Sequence, residues 1–256
     1  MLHFFEKGQG PALLFLHGFC ETGEMWRHLA DSLSTQYRVL CPDLPGIGSS
    51  PITHPITCLE DVAEQLEEWI DALQIQQPIV LGHSLGGYVA LALLERMGNR
   101  IKAIGLLHST AYADDLDKKE MRNRVLIFLN KHGAAKFVSS FVPQLFPEHR
   151  REELADATAH AIEDGQRSSL EGLLAYTVAM RDRQDRIAVL QQFAGPKLLL
   201  AGTLDGAVKI DSSRAQQQYF THYTELEGVG HLGMVEEKEK TLAVVQDFVR
   251  EVLSSS

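Results

Sequence analysis

The 256-residue chain is 45% hydrophobic and carries 24 Lys and Arg against 34 Asp and Glu, a formal net charge of −10 at pH 7. That apolar share is ample for a buried core, and about 250 residues suits one α/β unit better than two small domains. An acidic balance without any Lys/Arg-rich run argues against a nucleic-acid or anionic-membrane partner, and no stretch approaches the ~18 apolar residues of a spanning helix. Cys20, Cys41 and Cys58 are odd in number and form no C-x-x-C pair, so neither a disulfide framework nor a zinc site is expected. A reducing cytoplasm is the expected setting. Nothing in these numbers speaks to oligomeric state.

Along the chain, short apolar runs alternate with longer amphipathic ones. Met1–Gly8 reads as a first strand, since it lacks the basic and apolar regions of a signal peptide. Apolar runs at 13–16, 37–41, 78–81, 103–107 and 196–201 each end at a Gly, Pro-Asp or His, and 223–226 is strand-like. Runs without polar alternation suit strands buried on both faces, as in a parallel sheet. Between them, Leu59, Val62, Ala63, Leu66, Trp69, Ile70 and Leu73 keep the three-four spacing of a helix with one buried stripe. Residues 84–97 and 240–253 read similarly. Strands alternating with helices predict a doubly wound, mostly parallel α/β sheet with helices on both faces.

The alternation breaks between about 112 and 190. That interval is rich in charge, contains Pro143 and Pro147, and shows helical stretches at 121–130, 152–163 and 169–180. It predicts a helical cap inserted into one domain, whose core is about 1–111 and 191–256. The tail Ser254–Ser256 is expected to fray.

Gly82-His83-Ser84-Leu85-Gly86 matches G-x-S-x-G, with an apolar run entering and a helical pattern leaving. A serine lifted out of a sheet on a sharp strand-to-helix turn needs small neighbours, which Gly82, Gly86 and Gly87 provide. Ser84 is therefore the candidate nucleophile. It needs a base, and the base needs an orienting acid, in the chain order Ser, acid, His. His231, in the glycine-rich segment 228–233 after the last strand-like run, is the candidate base. Asp205, just beyond the run at 196–201, is the candidate acid. Asp211, read as a helix cap, and Glu227 are the competing carboxylates. Of the other ten histidines, His3, His28, His54, His132, His149, His160 and His222 read as surface or helix-face residues. His17 reads as ordering a loop, His83 as buttressing the Ser84 turn, and His108 as the second-choice functional histidine. Charge developing on a substrate carbonyl oxygen would meet the backbone N–H groups of Leu85 and Phe19. His108, Phe137, Phe141 and Phe146 are expected to line the substrate pocket. This chemistry calls for no metal or cofactor.

With these residues in place, the chain resembles the α/β-hydrolases of the single-domain, capped kind. The likeness runs from His17-Gly18 through the turn Asp43–Ser50, the Ser84 motif and Asp205 to His231, in the family's order. It implies a serine hydrolase, with one outer strand of the family's eight-stranded sheet missing or altered at the short amino terminus. Serine rather than aspartate at position 84 is unlike haloalkane dehalogenases and epoxide hydrolases. His83 and Leu85 are unlike the residues that flank the serine in prolyl iminopeptidases and in carbon–carbon bond hydrolases. His-Ser-Leu suits esterases, lipases, enol-lactonases and cofactor-free haloperoxidases, and Ser109–Asp114 resembles the enol-lactonase-like group. The expected substrate is a small or medium carboxylic ester, lactone or thioester. The alternatives are carbon–carbon cleavage or haloperoxidation on the same triad, and a slow-turnover ligand receptor on the same scaffold.

Overall fold

The computed structural model describes residues 1–254. Its strands are β1 (Phe4–Lys7), β2 (Ala12–Leu16), β3 (Arg38–Pro42), β4 (Ile79–His83), β5 (Ala103–Leu107), β6 (Lys197–Gly202) and β7 (His222–Leu226). They form one seven-stranded sheet in the order β1-β3-β2-β4-β5-β6-β7. Only β1 is antiparallel, against β3. The runs read as buried on both faces are so: β2, β4, β5 and β6 are buried along their whole length, whereas the edge strands β1 and β7 are mostly half-exposed.

Helices cover both faces. Within the core they are α1 (Arg27–Leu33), α2 (Leu59–Ala72) and α3 (Leu85–Met97). The insert contributes α4 (Leu116–His132), α5 (Ala134–Phe141), α6 (Ala155–Gly165), α7 (Leu170–Asp182) and α8 (Ile187–Gln192), all between β5 and β6. The chain ends with α9 (Ile210–Gln216), α10 (Gly233–Glu236) and α11 (Lys238–Ser254). α1 packs with α11, and α2 with α3. The apolar stripe read for 59–73 is the buried face of α2, with Leu59, Val62, Ala63, Leu66, Trp69 and Ile70 inside. Its start is fixed by Asp61, whose carboxylate accepts from the backbone N–H groups of Thr57 and Cys58. α5 and α8 were not legible as helices because eight and six residues show too little of a repeat. From Ser255 on, the expected frayed tail lies outside the described residues.

The chain leaves β2 toward β3 on one side and then crosses to β4 on the other. The strand order therefore reverses between β2 and β4, and a crevice opens at their carboxyl ends. The insert leaves from the same end, after β5. A buried ion pair anchors its stem: Arg183 donates to Asp114 at 2.6 Å and to the Tyr112 carbonyl, with its guanidinium 4.0 Å above the Tyr88 ring. Arg186 joins α8 to Glu60 of α2 and Glu95 of α3.

Candidate active site

Ser84 sits between β4 and α3 with φ 49° and ψ −115°, a conformation that costs a non-glycine residue about 1–3 kcal/mol. The turn is held open only because its neighbours have no side chains. A Cβ on Gly82 would lie 2.3 Å from the Gly86 carbonyl oxygen, one on Gly86 2.2 Å from that of Leu16, and one on Gly87 2.3 Å from Ser109 Oγ. Ser84 N–H donates to the Leu107 carbonyl and its own carbonyl accepts from Ser109 Oγ, so β5 braces the turn. Cys20 and His108 also have positive φ, which puts one strained residue after each of β2, β4 and β5.

His231 Nε2 lies 2.9 Å from Ser84 Oγ and His231 Nδ1 2.8 Å from Asp205 Oδ2. The other Asp205 oxygen accepts from the N–H groups of Ala207 and Val208, which fixes the carboxylate's plane. Of the competing acids, Glu227 is exposed, and Asp211 stands in the first turn of α9 and lines the cleft. Burial alone would raise the Asp205 pKa, but His231 and His108 reverse this and hold it well below the usual carboxylate range. Burial likewise pulls His231 down, and Asp205 outweighs it, so the imidazole's pKa rises above the ordinary histidine value.

The loop after β2 turns on His17. Its Nδ1 donates to the Gly18 carbonyl at 2.9 Å and its Nε2 accepts from Leu44 N–H at 2.9 Å. Burial lowers the His17 pKa, which favours this neutral form. In a trans peptide, a Gly18 carbonyl turned toward His17 points the Phe19 N–H the opposite way. Leu85 is the first residue of α3, so its N–H has no acceptor within the helix.

The cleft containing Ser84 and His231 has a volume of about 760 Å³. Phe19, Tyr88, Met121, Phe141, Leu145 and Met180 give it apolar walls, while Lys118, Arg122, Lys209, Asp115, Asp117 and Asp211 stand around it. Of the four residues expected to line the pocket, only Phe141 does. Phe137 is buried behind it, its ring stacked at 5.2 Å, and Phe146 is buried away from the cleft. His108 is fully buried beneath the site, its Nδ1 3.4 Å from Asp205 Oδ2, longer than a good hydrogen bond. The pocket set was misjudged because aromatic residues in an insert fill its own core before they reach a ligand. A second cavity of about 790 Å³ lies beyond Leu145, which borders both, and contains neither Ser84 nor His231.

Two acids escaped the sequence reading. Glu236 accepts from the N–H groups of Gly230 and Leu232, clamping the backbone on both sides of His231. Glu21 accepts from Gly18 N–H and contacts His83. The one available signal was their spacing, three residues past Gly18 and five past His231. His108, Asp205 and His231 bring donor atoms within 4.8 Å of one another, a set that could hold a metal ion. Their contacts with each other already account for this closeness. The glycine-containing turn at Asp43–Ser50 is structural: Asp43 accepts from Gly23 N–H and Ser49 N–H, and a Cβ on Gly48 would strike its carboxylate.

The alpha/beta hydrolase fold family matches residues 11–238. The chain is 25% identical over 246 residues to a 3-oxoadipate enol-lactonase of Acinetobacter baylyi, covering 94% of this chain and 90% of that one. It is 28% identical over 255 residues to a pimeloyl-[acyl-carrier protein] methyl ester esterase of Aeromonas hydrophila, covering 94% and 96%. Among solved structures, a thermophilic esterase from Thermogutta terrifontis superposes with a TM-score of 0.91 at 25% identity, covering 98% of this chain and 93% of the esterase. The family match spans most of the chain and agrees with the strand order and the serine turn, so this protein belongs to the alpha/beta hydrolase fold family.

Proposed function

We propose that the protein hydrolyses a small or medium carboxylic ester, lactones and thioesters included, through an acyl-enzyme on Ser84. The observation that carries this reading is the continuous hydrogen-bonded chain Ser84 Oγ–His231–Asp205 opening on a cleft. His231 Nε2 takes the serine proton as Oγ attacks the carbonyl carbon, and Asp205 steadies the resulting imidazolium. The Phe19 and Leu85 N–H groups receive the negative charge on the carbonyl oxygen, a contribution of about 3–4 kcal/mol when one such donor is lost. His231 then gives its proton to the leaving alkoxide. In the second half it deprotonates water, which releases the acid and frees Ser84.

Substrate size follows from the cleft. A volume of about 760 Å³ with mainly apolar walls accommodates a drug-sized molecule, oriented by few polar groups. The enol-lactonase and methyl ester esterase relatives support cleavage of an acyl–oxygen bond. The insert 112–190 acts as a cap that supplies Met121, Phe141, Leu145 and Met180 to the walls. Free thiols at Cys20, Cys41 and Cys58 suit a reducing cytoplasm.

A fluorophosphonate probe tests the nucleophile. Mass spectrometry should place the adduct on Ser84, and Ser84→Ala should lose both labelling and hydrolysis of p-nitrophenyl esters of graded chain length. An adduct on another residue of the folded protein, or an active Ser84→Ala, overturns the assignment.

A further inference from the structure

We propose that Glu21 and His83 form a buried positioning pair that ties the Phe19 loop to the His231 loop, and that turnover depends on the pair as a unit. The inference rests on the triad reading above. Glu21 Oε2 accepts from Gly18 N–H at 2.5 Å and lies 2.9 Å from His83 Nδ1. His83 Nε2 lies 2.8 Å from the His231 carbonyl oxygen. A carbonyl carries no hydrogen, so Nε2 must donate to it. Both ring nitrogens are thus engaged, Nδ1 by the Glu21 carboxyl group and Nε2 by the His231 carbonyl.

The positions of these links carry the functional argument. Gly18 immediately precedes the oxyanion donor Phe19, His83 immediately precedes Ser84, and His231 is the base itself. One polar chain thus joins the loops after β2, β4 and β7, whose mutual distances set the reacting geometry. Neither Glu21 nor His83 borders the substrate cleft, so both act through their neighbours. His83 is fully buried and Glu21 nearly so. A buried polar pair is seldom more stable than apolar residues of the same volume, whereas its hydrogen bonds fix direction as apolar contacts do not. Burial would raise the Glu21 pKa, but His83, His231 and His17 hold it below the usual value. The groups facing His83 are Glu21 from the loop after β2, the Trp26 ring, His108 after β5 and His231 before α10.

The test uses the full chain with Glu21→Gln, His83→Gln and the double variant, assayed on the ester that wild type hydrolyses best, with thermal unfolding recorded alongside. Each single change should lower kcat tenfold to a hundredfold while KM moves less than threefold. The double variant should be no slower than the slower single one, because residues acting as a unit are non-additive. Both singles within twofold of wild-type kcat, or losses that multiply in the double variant, overturn the proposal. Wild-type protein with nitrogen-15 in its histidines gives a second readout that does not depend on variants folding. His83 Nε2 should carry a hydrogen at the pH of maximal activity, and a ring whose hydrogen sits on Nδ1 alone overturns the pair. An active Ser84→Ala would defeat the triad reading instead, and the nitrogen signals would still report on His83.

Discussion

His231 has every polar atom engaged. Its ring spans Ser84 and Asp205, its N–H donates to the Leu145 carbonyl, and its carbonyl accepts from His83. Burial would lower its pKa, and the Asp205 carboxylate more than compensates. Only the neutral ring can accept the serine proton. With the pKa raised, kcat/KM should fall as pH drops through a value above the ordinary histidine pKa of ~6.5. A pH–rate profile over pH 5–9 with chemistry rate-limiting checks this, and a flat profile contradicts it. Asp205→Asn should keep the fold, lower kcat on the order of 10³–10⁴-fold, and move the acidic limb to lower pH because the charge that raised it is gone. If Asp211→Asn abolishes activity and Asp205→Asn does not, the acid has been assigned to the wrong residue of the segment after β6.

At the scale of elements, β2 and β4 flank the point where strand order reverses, and their carboxyl-end loops carry Phe19 and Ser84. The close approach of α3 to β2 is possible only with glycine at 86. The insert also reaches the loop that carries His231. The Leu145 carbonyl holds the backbone of His231, and Pro147 packs where a Cβ on Gly230 would go. Replacing 112–190 with the cap of another hydrolase should therefore shift acyl-chain preference, measured on graded p-nitrophenyl esters, while Ser84 labelling persists. It should also lower kcat severalfold for every chain length, because the brace on His231 goes with the insert. An exchange variant that folds and keeps the original preference would place selectivity in the core loops around Phe19.

For the molecule as a whole, the proposed mechanism draws every proton transfer and charge contact of ester cleavage from Ser84, His231, Asp205 and two backbone N–H groups. Exhaustive dialysis against a chelator should leave kcat/KM unchanged, and a loss restored by added divalent metal would make the His108–Asp205–His231 group a metal site. Among the described residues no helix is long and apolar enough to cross a membrane. The sheet, its longer helices and the candidates Ser84, Asp205 and His231, which the fold brings into contact, could be read in the sequence because each leaves a local mark. Buried strands read as unbroken apolar runs, α2 as a three-four stripe, and the serine turn as three glycines at fixed offsets. Which aromatic side chains face the cleft was decided by tertiary packing. Phe137 and Phe141 are four apart on α5, yet one lines the cleft and the other backs it, since the difference lies in what α5 packs against. The same holds for the contacts of His83. His83 meets Glu21 and the His231 carbonyl only because the order of the strands brings the ends of β2, β4 and β7 together, and no local pattern encodes that order.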